Sequence, residues 1–235
     1  MNRKTVKHAS LGGLGVLVAF SGLVAFAHTS VGRPLLGWMR GAPGCPVSLE
    51  GGDAKTVEAF RVAHLKREVG AEPSRGNPAL GFELGRSDRT SVSSWARASG
   101  AACKTLREES VLRCTGFRKA DGEALAIDDA HLQFDARGML VAADVYRVRT
   151  NAAAALAFVR SKANLLDAVA GPHTQSSGPT DSDSLQLQPF SRAAITYKYQ
   201  RYVAELSATN LADRGIRVRE RYSYLPSTTL ALNAP

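Results

Sequence analysis

The chain has 235 residues, of which 44% are hydrophobic and 22% charged, with a formal net charge of +9. That is an ordinary globular composition with room for one or two domains. Basic charge favours anionic partners. The excess is spread along the chain, however, and neither zinc-finger spacing nor an aromatic ribonucleoprotein motif is present, so nucleic acid is not an expected partner.

Arg3, Lys4 and Lys7 precede an apolar run from Ala9 to Ala27. A basic flank followed by an apolar run has the form of an export signal. A cleaved signal usually has an apolar core of ~7–15 residues, whereas a spanning helix needs ~17–25. Length points to an uncleaved anchor; Ala25-Phe26-Ala27, a small-x-small cleavage form, points to a cut. Either way residues 1–27 target the membrane and Thr29 onwards is expected outside the cytoplasm. Chain export would place the protein at the extracytoplasmic face of the inner membrane, or release it if cut after Ala27. Cys45 lies too far beyond the run for a lipoprotein signal.

Residues 28–78 read as a juxtamembrane segment and a first helix, Ala54 to Val69, capped by Asp53. Val57, Phe60 and Ala63 lie on its partly apolar face, with His64 near it. Gly70 to Pro78 is loop by composition.

A first α+β unit covers 79–149. Leu80, Phe82 and Leu84 alternate as a short strand. Ser87 is the expected N-cap of a helix reaching Ser99, and Gly100 stops it. Strands follow at Ala101–Leu106 and Val111–Phe117, then at His131–Asp135 and Met139–Arg149, with Gly138 in a left-handed turn position. A second unit covers 150–226. Its helix, Asn151 to Ala170, carries Ala155, Phe158, Val159, Leu165, Leu166 and Val169 on one side. His173 to Ser184 is a polar loop. Strands follow at Arg192–Tyr199, Tyr202–Asn210 and Ile216–Tyr224, then a tail from 227 to 235. The shared order of the halves reads as two tandem α-β-β-β units forming an antiparallel sheet packed by helices. The fold class expected is therefore α+β.

Gly85-Arg-Ser-Asp-Arg-Thr-Ser-Val92 and Val169-Ala-Gly-Pro172 carry a resemblance. In layout, Leu80 to Tyr224 is similar to the small outer-membrane-assembly lipoproteins and to the β-lactamase inhibitor protein type of α+β repeat. Here the Gly85–Val92 turn and the first helix are longer, and no Pro follows Gly100. The resemblance implies protein–protein binding at the cell envelope and supplies no catalytic residue.

No nucleophile elbow, P-loop, HExxH or CxxC pattern occurs, so neither a cofactor nor a metal is expected. Asp181 and Asp183 read as a solvated loop pair. Arg217, Arg219 and Arg221 alternate along the last strand and so share one sheet face. Arg147 and Arg149 end the matching strand of the first half. Together these five form a candidate cationic band for an envelope protein or an anionic lipid; the alternative is a solvated face that blocks edge pairing. Cys103 and Cys114 are equidistant from the Glu108-Glu109 midpoint, so a symmetric hairpin opposes them at disulfide distance and leaves Cys45 free. The expected function is an exported binding or assembly protein. The alternatives are a small extracytoplasmic hydrolase with dispersed catalytic residues and an inhibitor of a secreted enzyme. A deep pocket holding His64, His131 or His173 beside an acid and a Ser would mark the hydrolase; an open sheet face would mark binding.

Overall fold

The structure, a computed structural model, describes residues 54–118 and 124–226. The Ala9–Ala27 run, the Asp53 cap, Cys45 and the tail lie outside the described residues. No helix among the described residues is long and apolar enough to cross a membrane.

The fold is α+β. Helix α1 (Ala54–Glu68) leads to a two-residue-per-strand hairpin, β1 (Pro78–Ala79) and β2 (Phe82–Glu83). Then come α2 (Arg89–Ala98), β3 (Ala102–Leu106), β4 (Val111–Thr115), β5 (Ile127–Phe134) and β6 (Leu140–Arg147). The second half contains α3 (Ala152–Val169), β7 (Gln175–Ser177), α4 (Ser182–Leu187), β8 (Arg192–Lys198), β9 (Tyr202–Asn210) and β10 (Ile216–Tyr224). Strands β3 to β10 form one antiparallel eight-stranded sheet in the order β3-β4-β5-β6-β10-β9-β8-β7. Each half is thus a helix and four strands in up-and-down order, with α4 inserted between β7 and β8; β7 is the strand not expected in the second unit, and the last strands of the halves pair at the centre.

Local chemistry explains the elements. Asp88, rather than Ser87, caps α2: its Oδ1 accepts from the Ser91 backbone N–H at 2.8 Å. The Ser87 Oγ instead accepts from Glu83 N, in the β1–β2 hairpin, at 3.1 Å. Asn151 caps α3 in the same way through Ala154 N at 2.9 Å. Leu80 and Gly81 have φ of 55° and 85°, so the Leu80–Leu84 alternation is bent into a hairpin and is not a continuous strand. Gly85 has φ +82°, and a Cβ there would sit 2.4 Å from the Tyr224 ring. Only glycine fits both the dihedral and the close approach. The polar stretch after His173 holds two short elements, β7 and α4, the latter capped by Asp181 through Ser184 N at 2.8 Å.

The core lies between one sheet face and helices α2 and α3. Ala155, Leu156, Phe158, Val159, Ala163 and Leu166 line the buried side of α3, whereas Leu165 and Val169, expected on that side, face out and are exposed. Burial of a Leu, Val or Phe side chain contributes about 1.5–3 kcal/mol. Trp95 of α2 packs edge-on against Phe82 with centroids 5.4 Å apart, and against Phe117 at 5.5 Å. The other sheet face is partly roofed at one end by α1. There Val62 and Leu65 form a small second cluster with Val203 and Leu225.

Cys103 opposes Cys114 in the β3–β4 register, and the two are joined by a disulfide with Cα atoms 4.0 Å apart. Cys114 is fully buried.

Candidate functional site

Period two places Arg217, Arg219 and Arg221 on one face of β10, the face away from α2 and α3. The register sets their neighbours: Arg219 lies opposite Tyr146 of β6 and Ser207 of β9, while Arg221 lies opposite Asp144 and Glu205. The Arg219 guanidinium grips Asp144 with both prongs, Nε to Oδ1 at 2.7 Å and Nη2 to Oδ2 at 2.5 Å. That hydrogen bond raises the Arg219 pKa further. Arg217 donates to Asp128 Oδ2 at 2.7 Å. Arg221 donates to Glu68 Oε2 of α1 at 2.6 Å. Arg192 of β8 pairs with Glu205.

Tyr146 lies between two of these cations. The Arg217 and Arg219 guanidinium carbons stand 5.0 and 5.5 Å from its ring centroid, within cation–π range. Burial, and then the Asp144 charge, push the Tyr146 phenol pKa upwards. These side chains, with Ser207, Thr209 and Leu211, line a shallow depression of about 330 Å³. Further out on the same face, Arg113 donates to Asp129 Oδ2 from Nη2 at 2.8 Å, and His131 Nε2 lies 3.4 Å from Asp129 Oδ1.

Two expected members of the band lie elsewhere. Arg147 is fully buried on the opposite, helix-facing side of the sheet. Its Nε donates to Glu220 Oε1 at 2.6 Å and its Nη1 to the Leu125 carbonyl at 2.8 Å. Its guanidinium lies 4.9 Å from the Phe158 centroid. Arg149 is exposed just beyond the end of β6. Because each arginine of the face has its own carboxylate, the surface is a charge-balanced ladder and not a bare cationic strip. Asp128, Asp144, Glu205 and Tyr146 belong to it as fully as the arginines. For Asp144 and Tyr146 the sequence signal is their alternation with Ala143 and Val145 on β6; Asp128 and Glu205 lie on β5 and β9, outside that pattern.

The three histidines do not converge. His64 is exposed on α1, with Nδ1 3.5 Å from Glu68. His131 lies on the open sheet face beside Asp129. His173 Nδ1 lies 3.4 Å from Asp167 Oδ2, near the end of α3. It borders a depression of about 420 Å³ lined with Glu72, Arg75, Thr174 and Tyr199 but with no serine. Among the described residues no group of three or more His, Cys, Asp or Glu side chains is placed to hold a metal. Asp181 is spent on the α4 cap. Compared with known protein families, with curated proteins and with solved structures, the chain matches none.

Proposed function

We propose that this is an exported, envelope-associated binding or assembly protein that meets a protein partner through the open face of its central strands. The observation that carries this reading is the ladder of Arg217, Arg219 and Arg221 with Tyr146, Asp144 and Glu205. Arginine and tyrosine are enriched where proteins recognise one another. Balanced charge favours a partner with complementary patches of both signs over a uniformly anionic lipid surface. The basic flank and apolar run at the N-terminus support residence at the extracytoplasmic face of the inner membrane, with 9–27 as the membrane contact.

The two halves read as copies of one unit. The mirrored strand order supports this, as do the matching left-handed glycines after each helix, Gly100 and Gly171, and in each last hairpin turn, Gly138 and Gly215.

The test is cross-linking of the full-length protein in its native membranes, followed by identification of what co-purifies. Replacement of Arg217, Arg219 and Arg221 together by Gln is expected to abolish capture of a specific protein. Capture that survives the triple replacement overturns the role of this face. Sedimentation with vesicles of phosphatidylglycerol, lost in the triple variant and in high salt, would assign the face to lipid instead. A reporter active only outside the cytoplasm, fused after Tyr224, checks the topology.

A further inference from the structure

At the end of the sheet where the β3–β4 and β5–β6 turns lie, a groove of about 820 Å³ opens between α1 and the turns. That is the size of sites that take small molecules or a few side chains of a peptide, commonly ~300–1,000 Å³. Ala59, Val62 and Ala63 of α1 form one wall; Gln133, Ala136 and Gly138 form the other, with the buried Phe134 beneath them. The lining is mostly carbon. Phe60, on the same helix, leaves 59% of its surface exposed, an unusual amount for an aromatic ring.

The rim carries Glu58, Glu108, Glu109 and Asp135 against Lys66 and Arg89. Two of these acids are already engaged: Glu58 with Arg61 at 2.6 Å and with Gln133 at 3.0 Å, Asp135 with Arg137 at 3.0 Å. Glu109 has only a distant cation, Arg89 Nη1 at 3.9 Å, and that guanidinium lies over the Phe134 ring at 4.8 Å. Among the described residues no cation lies within salt-bridge distance of Glu108. The turn that presents Glu108 and Glu109 is held in place. Ser110 donates to the Arg107 carbonyl from both N, at 2.9 Å, and Oγ, at 2.8 Å. Phe134 N donates to the Ser110 carbonyl at 2.8 Å, and the Cys103–Cys114 disulfide ties the strands beneath.

We infer that this groove docks a basic amphipathic segment of a partner protein. Its apolar side chains would fill the space between α1 and the β5–β6 turn, and its lysines or arginines would meet Glu108 and Glu109. An apolar floor with solvent-exposed carboxylates at one lip is complementary to that chemistry, as in helix-in-groove recognition. The groove shares no lining residue with the depression on β10, so the inference does not rest on the function proposed for that face.

The experiment uses the full-length protein and fluorescence anisotropy of a labelled peptide with Leu at i, i+3, i+4 and i+7 and Lys elsewhere. An acidic twin with Glu in place of Lys is the comparison. The basic peptide is expected to bind at least tenfold tighter than its twin. Glu108→Gln with Glu109→Gln should weaken it about tenfold and flatten its salt dependence. Ala63→Trp, at an exposed helix position, should block the groove, and the thermal melt of that variant reports whether it folds. Asp213→Asn, at the opposite end of the sheet, should leave binding unchanged. The inference is overturned by no binding, by equal binding of both peptides, or by indifference to the two glutamate replacements. It is overturned equally by a concentration-dependent dimer that Ala63→Trp dissolves, which would give the groove to a second copy.

Discussion

Arg147 and Glu220 meet across the seam where the two halves join, Nε to Oε1 at 2.6 Å, and neither side chain is more than 1% exposed. Glu220 is held from its other oxygen by the Tyr222 hydroxyl, which donates at 2.6 Å. Burial, then the Glu220 charge, drives the Tyr222 pKa well above its ordinary value, so the phenol stays a donor. Such a pair contributes little over well-packed apolar residues, but breaking one side strands a buried charge. Glu220→Ala is expected to destabilise the fold by about 3–5 kcal/mol. Adding Arg147→Met should restore part of the loss. Urea unfolding of the single and double variants checks this; strictly additive losses would show that the pair does not act as a unit.

The disulfide closes a short loop, with Cys103 and Cys114 separated by 11 positions. Chain entropy for a loop of that length gives about 2–3 kcal/mol. Cys103→Ser with Cys114→Ser is therefore expected to lower stability by about that amount. Non-reducing peptide mapping should recover the fragment pair joined at 103 and 114. Free thiols at both positions in protein purified without reductant would contradict the pairing.

Acid should loosen the open face through Asp129. Burial raises its pKa, but the hydrogen bond from Arg113 and the charges of His131 and Arg113 outweigh it, and the net shift is below the ordinary 3.8. A depressed carboxylate contributes stability above its unfolded value, and that contribution is lost as pH falls through the folded one. Asp129→Asn is expected to lower stability at neutral pH and to flatten the acid limb below about pH 4. Urea midpoints measured from pH 2 to pH 6 give the comparison; parallel curves for the two proteins would rule the contribution out.

Asn210, 2% exposed, fastens the loop between α4 and β8. Its Nδ2 donates to the carbonyls of Leu185, Gln186 and Gln188 at 3.0, 2.9 and 3.1 Å, and its Oδ1 accepts from Ala212 N at 2.9 Å. Asn210→Ala removes these bonds from a buried position, an expected cost of about 1–3 kcal/mol. The loop carries the exposed Phe190, so chymotrypsin should cut there sooner in the variant than in the wild type. Equal cleavage rates would mean the loop is held by other contacts.

Alternation and turn chemistry made much of this fold legible. Strands 202–210 and 216–224 have the expected limits, and the spacing of Cys103 and Cys114 about Glu108-Glu109 specified the register in which they bond. What failed was long-range. Period two shows which residues share a face, but not which face looks inward. Because Arg219 pairs with Tyr146, odd-numbered residues of β10 share a face with even-numbered residues of β6. Arg147 therefore falls beside Glu220 in the core, and no local pattern carries that parity. The placement of α1 over Arg221 and Val203 is equally non-local. The β1–β2 bend was missed because Leu80 adopts a left-handed φ that its residue type disfavours.

The central position of the last strand sets an order on folding. Strand β6 has one neighbour, β5, until residues 216–224 dock on its other side. A chain that folds from its N-terminus onward completes β5 and β6 before Ile216–Tyr224 arrives. Through that interval β6 is an eight-residue edge alternating buried and half-buried side chains, the kind of edge that pairs with stray strands. In the finished molecule the edges are β3, five residues and mostly exposed, and β7, three residues and fully exposed. The hazard of edge pairing thus belongs to a passing stage of biogenesis, when a chaperone that shields β6 would be of most use, and it ends when β10 locks into place.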